Sequence, residues 1–136
     1  MAGSVLVDAG LRIALLSRRD RHHPCAAAQS PRLAPPPKTC EAVRSEAFHL
    51  VGSRGRPSLA ALLRRGAVVA AFDLGDELDR VLTLMQKYAS VPMSLADACL
   101  VRMSETLADP VIVTTDTNFS IYRRHSREIV PCMTGY

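Results

Sequence analysis

Val111-Ile112-Val113-Thr114-Thr115-Asp116 is the stretch on which the fold turns. Three consecutive β-branched apolar residues read as a short strand buried on both faces. The polar residues behind them put a carboxylate just beyond the strand's carboxyl end. Val5-Leu6-Val7-Asp8, near the amino terminus, has the same form: an apolar run, then an acid. Two such strands should bring Asp8 and Asp116 to one edge of a common sheet.

The segments between them carry helical periods. Leu11–Leu16 and His22–Gln29 read as short helices, the second with Pro24 in its first turn. Residues 31–37 are proline-rich and read as an extended connection. A helix is expected over Thr39–Leu50 with Thr39 as N-cap, a loop over Gly52–Pro57, and a helix over Ser58–Arg65 closed by Gly66. Val68–Phe72 reads as a strand. Asp76–Tyr88 places Leu78, Val81, Leu82, Met85 and Tyr88 on one helical stripe, with Asp73, Asp76 and Asp79 as favourable charges at its start. Ser94 caps the next helix, which runs to about Leu107. A helical turn over Phe119–Arg123 and a last strand at Ile129–Val130 complete the reading. Strands alternating with helices imply right-handed crossovers. The expected architecture is a three-layer α/β/α sandwich around a mostly parallel sheet, one domain over residues 1–136.

The 136 residues are 48% apolar, enough for a real core. The net charge is +4, and Lys38 and Lys87 are the only lysines, so the basic surface is almost entirely arginine. Arginine pairs bidentately with phosphate, which suits a nucleic-acid partner; compositional bias explains the excess equally well. Arg54, Arg56, Arg123 and Arg124 are candidate phosphate contacts, whereas Arg64 and Arg65 read as a solvated face. Cys25, Cys40, Cys99 and Cys132 form no metal-finger spacing, and Cys40 and Cys99 read as buried thiols. His22-His23 reads as a solvated helix start. Gly52-x-x-Gly55 lacks the Lys-Ser or Lys-Thr of a phosphate-binding loop. No signal peptide and no membrane-length apolar run are evident, so a cytoplasmic protein is expected.

Four carboxylates carry the functional argument. Asp8 is a metal ligand at a strand end or the N-cap of the helix behind it. Glu46 falls within the apolar arc of Cys40, Val43, Ala47 and Leu50, while Glu41 falls on the far side with Arg44; a carboxylate on a buried face needs a partner. Asp97 shares a face with Met93, Leu100 and Val101, and also closes a capping box with Ser94. Asp116 follows two threonines and is equally a turn-former. Together, two acids at strand ends and two on inward helix faces describe a clustered carboxylate site. Mg²⁺ or Mn²⁺ would relieve its repulsion, and phosphodiester hydrolysis is the chemistry such a site serves.

These segments, with Thr39–Ala47, Leu84–Ala89, Pro92–Ala98, Thr114–Phe119 and Tyr122-Arg123, resemble the PIN-domain family, and within it the VapC-type toxin ribonucleases. The resemblance covers nearly the whole chain. It implies an acidic quartet of Asp8, Glu46, Asp97 and Asp116, which would be catalytic and bind Mg²⁺ or Mn²⁺. It also implies endonucleolytic cleavage of RNA, a homodimer, and a cognate antitoxin protein as partner. Thr115, Asn118, Arg12 and Arg123 are the expected substrate contacts; a purely structural role for Thr115 is equally open. Asn118 stands where relatives often carry another Asp, and Arg12 where an apolar residue is common. The competing expectation is a non-catalytic PIN-like module that binds RNA or protein. A receiver-type phosphoacceptor domain is disfavoured because no Lys follows Lys87.

Overall fold

The computed structural model describes residues 3–9 and 36–133. The expected helices at Leu11–Leu16 and His22–Gln29 lie outside the described residues, as do Arg12, His22, His23 and Cys25.

Strand β1 (Ser4–Val7) leads to β2 (Lys38–Thr39), helix α1 (Glu41–Arg64), β3 (Val69–Ala70), α2 (Leu74–Lys87), α3 (Leu95–Thr106) and β4 (Pro110–Val113). A 3₁₀ turn at Thr117–Ser120 follows, then β5 (Arg123–Arg124), β6 (Glu128–Ile129) and β7 (Cys132–Met133). Five strands pair in the order β3-β2-β1-β4-β7, every pairing parallel. β5 and β6 form a separate antiparallel pair. The chain is therefore an α/β protein with a parallel sheet, as expected. Among the described residues, no helix is long and apolar enough to cross a membrane.

The longest pairing is β1 with β4, four residues from Ser4↔Pro110 to Val7↔Val113. Alternation along these strands divides their side chains. Leu6 and Ile112 enter the main core with Val43, Leu59, Val81, Leu100 and Tyr122, so buried residues of all three helices share one cluster. Val7 and Val113 join Val68 in a smaller cluster flanked by Val5 and Met133. The hydroxyl of Thr39 donates to the carbonyl of Val7 at 3.1 Å and ties β2 to β1.

Several boundaries differ from the expectation. Thr39 is a strand residue, and Cys40 takes the N-cap of α1. The loop expected over Gly52–Pro57 is instead a kink within one helical segment: Gly52 adopts φ 68°, ψ −176°, and Pro57 falls inside the second half. α2 begins earlier than expected because the Asp73 carboxylate accepts from the Asp76 amide at 3.4 Å and caps it. Ser94 caps α3 as expected, accepting from the Asp97 amide at 3.0 Å. The turn expected over Phe119–Arg123 is the 3₁₀ turn at Thr117–Ser120, and Ile129 pairs in β6 while the last sheet strand is β7. Leu50, Leu78 and Leu82, assigned to buried stripes, are exposed.

Candidate functional site

In an open parallel sheet the strand order reverses at one point, and the crevice beyond the carboxyl ends there is where ligands bind. In β3-β2-β1-β4-β7 that point lies between β1 and β4. Asp8 and Asp116 leave these two strands, so the register that pairs Val7 with Val113 brings both acids to the crevice.

Thr114 joins them. Its hydroxyl donates to the buried Asp8 carboxylate and accepts from the Asp116 amide at 2.9 Å. Asp116 in turn accepts from the Asn118 amide at 2.8 Å, so its turn-forming role is real and starts the 3₁₀ turn. Nearby, partial desolvation and the Asp8 carboxylate push the Cys132 thiol up to about 11.

The helices bring the other two acids. Asp97 sits in the first turn of α3 with neighbours Ala96 and Ala98 buried. Its carboxylate accepts from the Tyr122 hydroxyl at 2.8 Å. Tyr122 is fully buried and packs edge-on against both Tyr88 and Phe119, which fixes the hydroxyl's direction. Burial holds the Asp97 carboxyl above its ordinary range; the Tyr122 bond opposes that shift, and the Asp116 charge adds to it. Glu46 lies at the rim of the apolar face rather than inside it. Partial desolvation, then the charges of Asp97 and Asp116, push its carboxyl up. Glu41, read as solvated, is exposed and pairs with Arg44 at 3.2 Å.

The charges of Asp97 and Asp116 thus bear on Glu46, and that of Asp116 on Asp97, while Asp8 is linked through the Thr114 hydroxyl to the backbone amide of Asp116. Among the described residues, no three His, Cys, Asp or Glu side chains form a group that could hold a metal ion, so the four acids do not close into a ready-made ligand set.

The expected substrate contacts fare differently. Thr115 is half-buried and stands outside the bonded chain; the hydroxyl that connects the acids is that of Thr114. The backbone N–H of Asn118 donates to the Asp116 carboxylate. Arg123 closes the 3₁₀ turn, its Nη1 donating to the carbonyls of Ser120, Ile121 and Tyr122. Arg124 bonds the Ser104 carbonyl and pairs with Glu128 at 3.6 Å. Arg12 lies outside the described residues.

Two contributors escaped the sequence reading. Tyr122 orients Asp97, although a tyrosine near the carboxyl end gives no signal of that bond. His49, one turn beyond Glu46 on α1, lines with Glu46, Ser94 and Leu95 an open recess of about 460 Å³; the spacing i, i+3 could have pointed to it. Neither a family model nor a curated protein matches this sequence.

Proposed function

We propose that this chain is a Mg²⁺- or Mn²⁺-dependent endoribonuclease with a PIN-like three-layer α/β/α fold, of the VapC toxin type. The observation that carries this reading is the convergence of Glu46, Asp97 and Asp116, carboxylates from three different elements whose charges bear on Glu46 and Asp97, beside Asp8 at the switch point of the sheet. The donor set is oxygen only, which fits a hard divalent cation better than zinc. Asp8, Glu46, Asp97 and Asp116 would hold it. When bound, such an ion supplies a water of lowered pKa and a positive charge against the phosphate. The chain's own groups prepare that step: Tyr122 aims Asp97, Thr114 sets the spacing of Asp8 from Asp116, and the recess beside Glu46 and His49 gives a phosphodiester room to approach.

Thr115, Asn118 and Arg12 belong to this reading as substrate contacts, and Arg123 enters it by shaping the turn behind Asp116. The reading also includes a cytoplasmic location, a cognate antitoxin and a homodimer. The exposed Leu78 and Leu82 on α2 are an apolar surface of the kind a partner chain covers. The alternative is a non-catalytic PIN-like module that binds RNA or protein.

The deciding experiment is incubation of total cellular RNA with the purified protein in Mg²⁺ or Mn²⁺, beside Asp97→Asn and an EDTA control. Discrete fragments from the wild type alone are expected. Identical behaviour of wild type and variant would put the binding module first.

A further inference from the structure

Ile129 on β6 is 71% exposed, more open than any other large apolar side chain among the described residues. With Asp116, Thr117, Phe119, Ser120 and Pro131 it lines a recess of about 340 Å³. Asp116 belongs both to this recess and to the crevice at the switch point. Phe119 is buried and packs edge-on against Tyr122, the residue whose hydroxyl bonds Asp97. Ser120 donates its hydroxyl proton to the Thr117 carbonyl at 2.7 Å, which leaves the oxygen as an acceptor at the rim.

The wall that bears Ile129 is fixed. β5 and β6 pair Arg123 with Ile129. The chain between them turns through His125 and Ser126 at φ 49° and 67°, left-handed conformations that residues other than glycine hold only when their surroundings impose them. Here the Arg123 amide donates to the Tyr88 hydroxyl at 2.9 Å, the His125 amide to the Glu105 carboxylate at 2.6 Å, and Lys87 Nζ to the Ser126 carbonyl at 3.4 Å. These contacts leave positive charge uncompensated. Arg123 bonds three neutral carbonyls, Lys87 bonds a carbonyl and lies over the Tyr88 ring, and Arg127 is exposed. Among the described residues, none of these three cations is in an ion pair.

We propose that the recess is a subsite for one unstacked base of single-stranded RNA, next to the phosphate held at the acids. Ile129 is its wall, and Lys87, Arg123 and Arg127 attract the flanking phosphates. The proposal rests on the nuclease reading and deepens it: Asp116 borders both places, so a strand with a phosphate at the acids has its neighbouring base at the recess. The Ser120 oxygen would meet an amino group on the edge of that base.

The test is binding in EDTA, read by fluorescence anisotropy. The probes are a short fluorescein-labelled oligocytidylate and an abasic ribose-phosphate chain of the same length. Wild type is expected to bind the cytidylate about tenfold more tightly than the abasic chain. Ile129 is exposed, so its truncation spares the core. Ile129→Ala should lose about three- to tenfold on the cytidylate and nothing on the abasic chain. Arg127→Gln should weaken both alike and flatten their salt dependence. Wild type that binds both chains equally or neither, or an Ile129→Ala loss that is equal on both, would overturn the subsite and leave the recess to an apolar side chain of a protein partner. Nothing is cut in EDTA, so the result stands apart from the cleavage assay. Base discrimination without cleavage keeps the subsite and sinks the nuclease; cleavage with equal binding does the reverse.

Discussion

Asp97 serves two ends that oppose each other. Its carboxylate accepts from Tyr122, which favours the charge, yet burial and Asp116 disfavour it more. The folded pKa therefore lies above the unfolded one. The cost of ionisation is absent below the ordinary value of 3.8 and fully present above the raised one. An asparagine side chain at this position would stay neutral and could still accept from Tyr122. Asp97→Asn is thus expected to be more stable than metal-free wild type at pH 7, by up to about 1 kcal/mol, with the difference fading as pH falls toward 4. Urea midpoints of both proteins at the two pH values check this; a difference that ignores pH would contradict it. Tyr122→Phe should cost about 1–2 kcal/mol and raise the Asp97 pKa further, read by NMR titration of the carboxyl carbon. At this scale the sequence revealed acids more readily than their supports. Glu46 and Asp97 stand out because a carboxylate on an apolar helix face is anomalous. Thr114 and Tyr122 are ordinary residues until tertiary contacts give them a role.

Among the elements, α1 is held in two halves by one residue. Gly52 sits at φ 68°, ψ −176°, a conformation essentially reserved for glycine, and nothing stands within 4 Å of where a Cβ would go. Gly52→Ala should therefore cost about 1–3 kcal/mol through backbone strain alone, measured by chemical denaturation. Ser94→Ala, which removes the cap of α3, should cost about 1 kcal/mol. The helices were legible because α2 and α3 carry capping residues at their starts. β2, β3, β5, β6 and β7 are two residues each. No period can be read over two residues, so their pairing is decided by the sheet rather than by their own sequence. The buried stripes are also narrower than expected: Leu50, Leu78 and Leu82 face outward, while Val43, Ala47 and Leu59 on α1 and Val81 on α2 are the buried positions.

For the molecule as a whole, three mutually repelling carboxylates beside a fourth predict a response to cations. Adding Mg²⁺ or Mn²⁺ should raise the Tm of the wild type in proportion to the logarithm of ion concentration once the site begins to fill, and EDTA should reverse the rise. Asp97→Asn should respond much less, as seen by scanning fluorimetry or calorimetry. An equal response from both would mean the ion binds elsewhere. The parallel sheet and the edge to which Asp8 and Asp116 lead were readable in advance, because two apolar runs each ending in an acid admit little else. The chain of bonds through Thr114 was not, since it depends on the register of β1 against β4.

That register also governs when the site can exist. Asp8 and Thr114 are 106 residues apart in the chain, and β1 is the central strand of the sheet. During synthesis β1 emerges first and waits, without its principal neighbour, until β4 has left the ribosome. Asp97 and Asp116 are also made late. A nascent chain therefore carries at most two of the four acids until Asp97 is made, and cannot assemble the crevice until β4 and Asp116 have emerged. The order in which its strands are made thus delays any chemistry of the crevice until the sheet's two middle strands can pair.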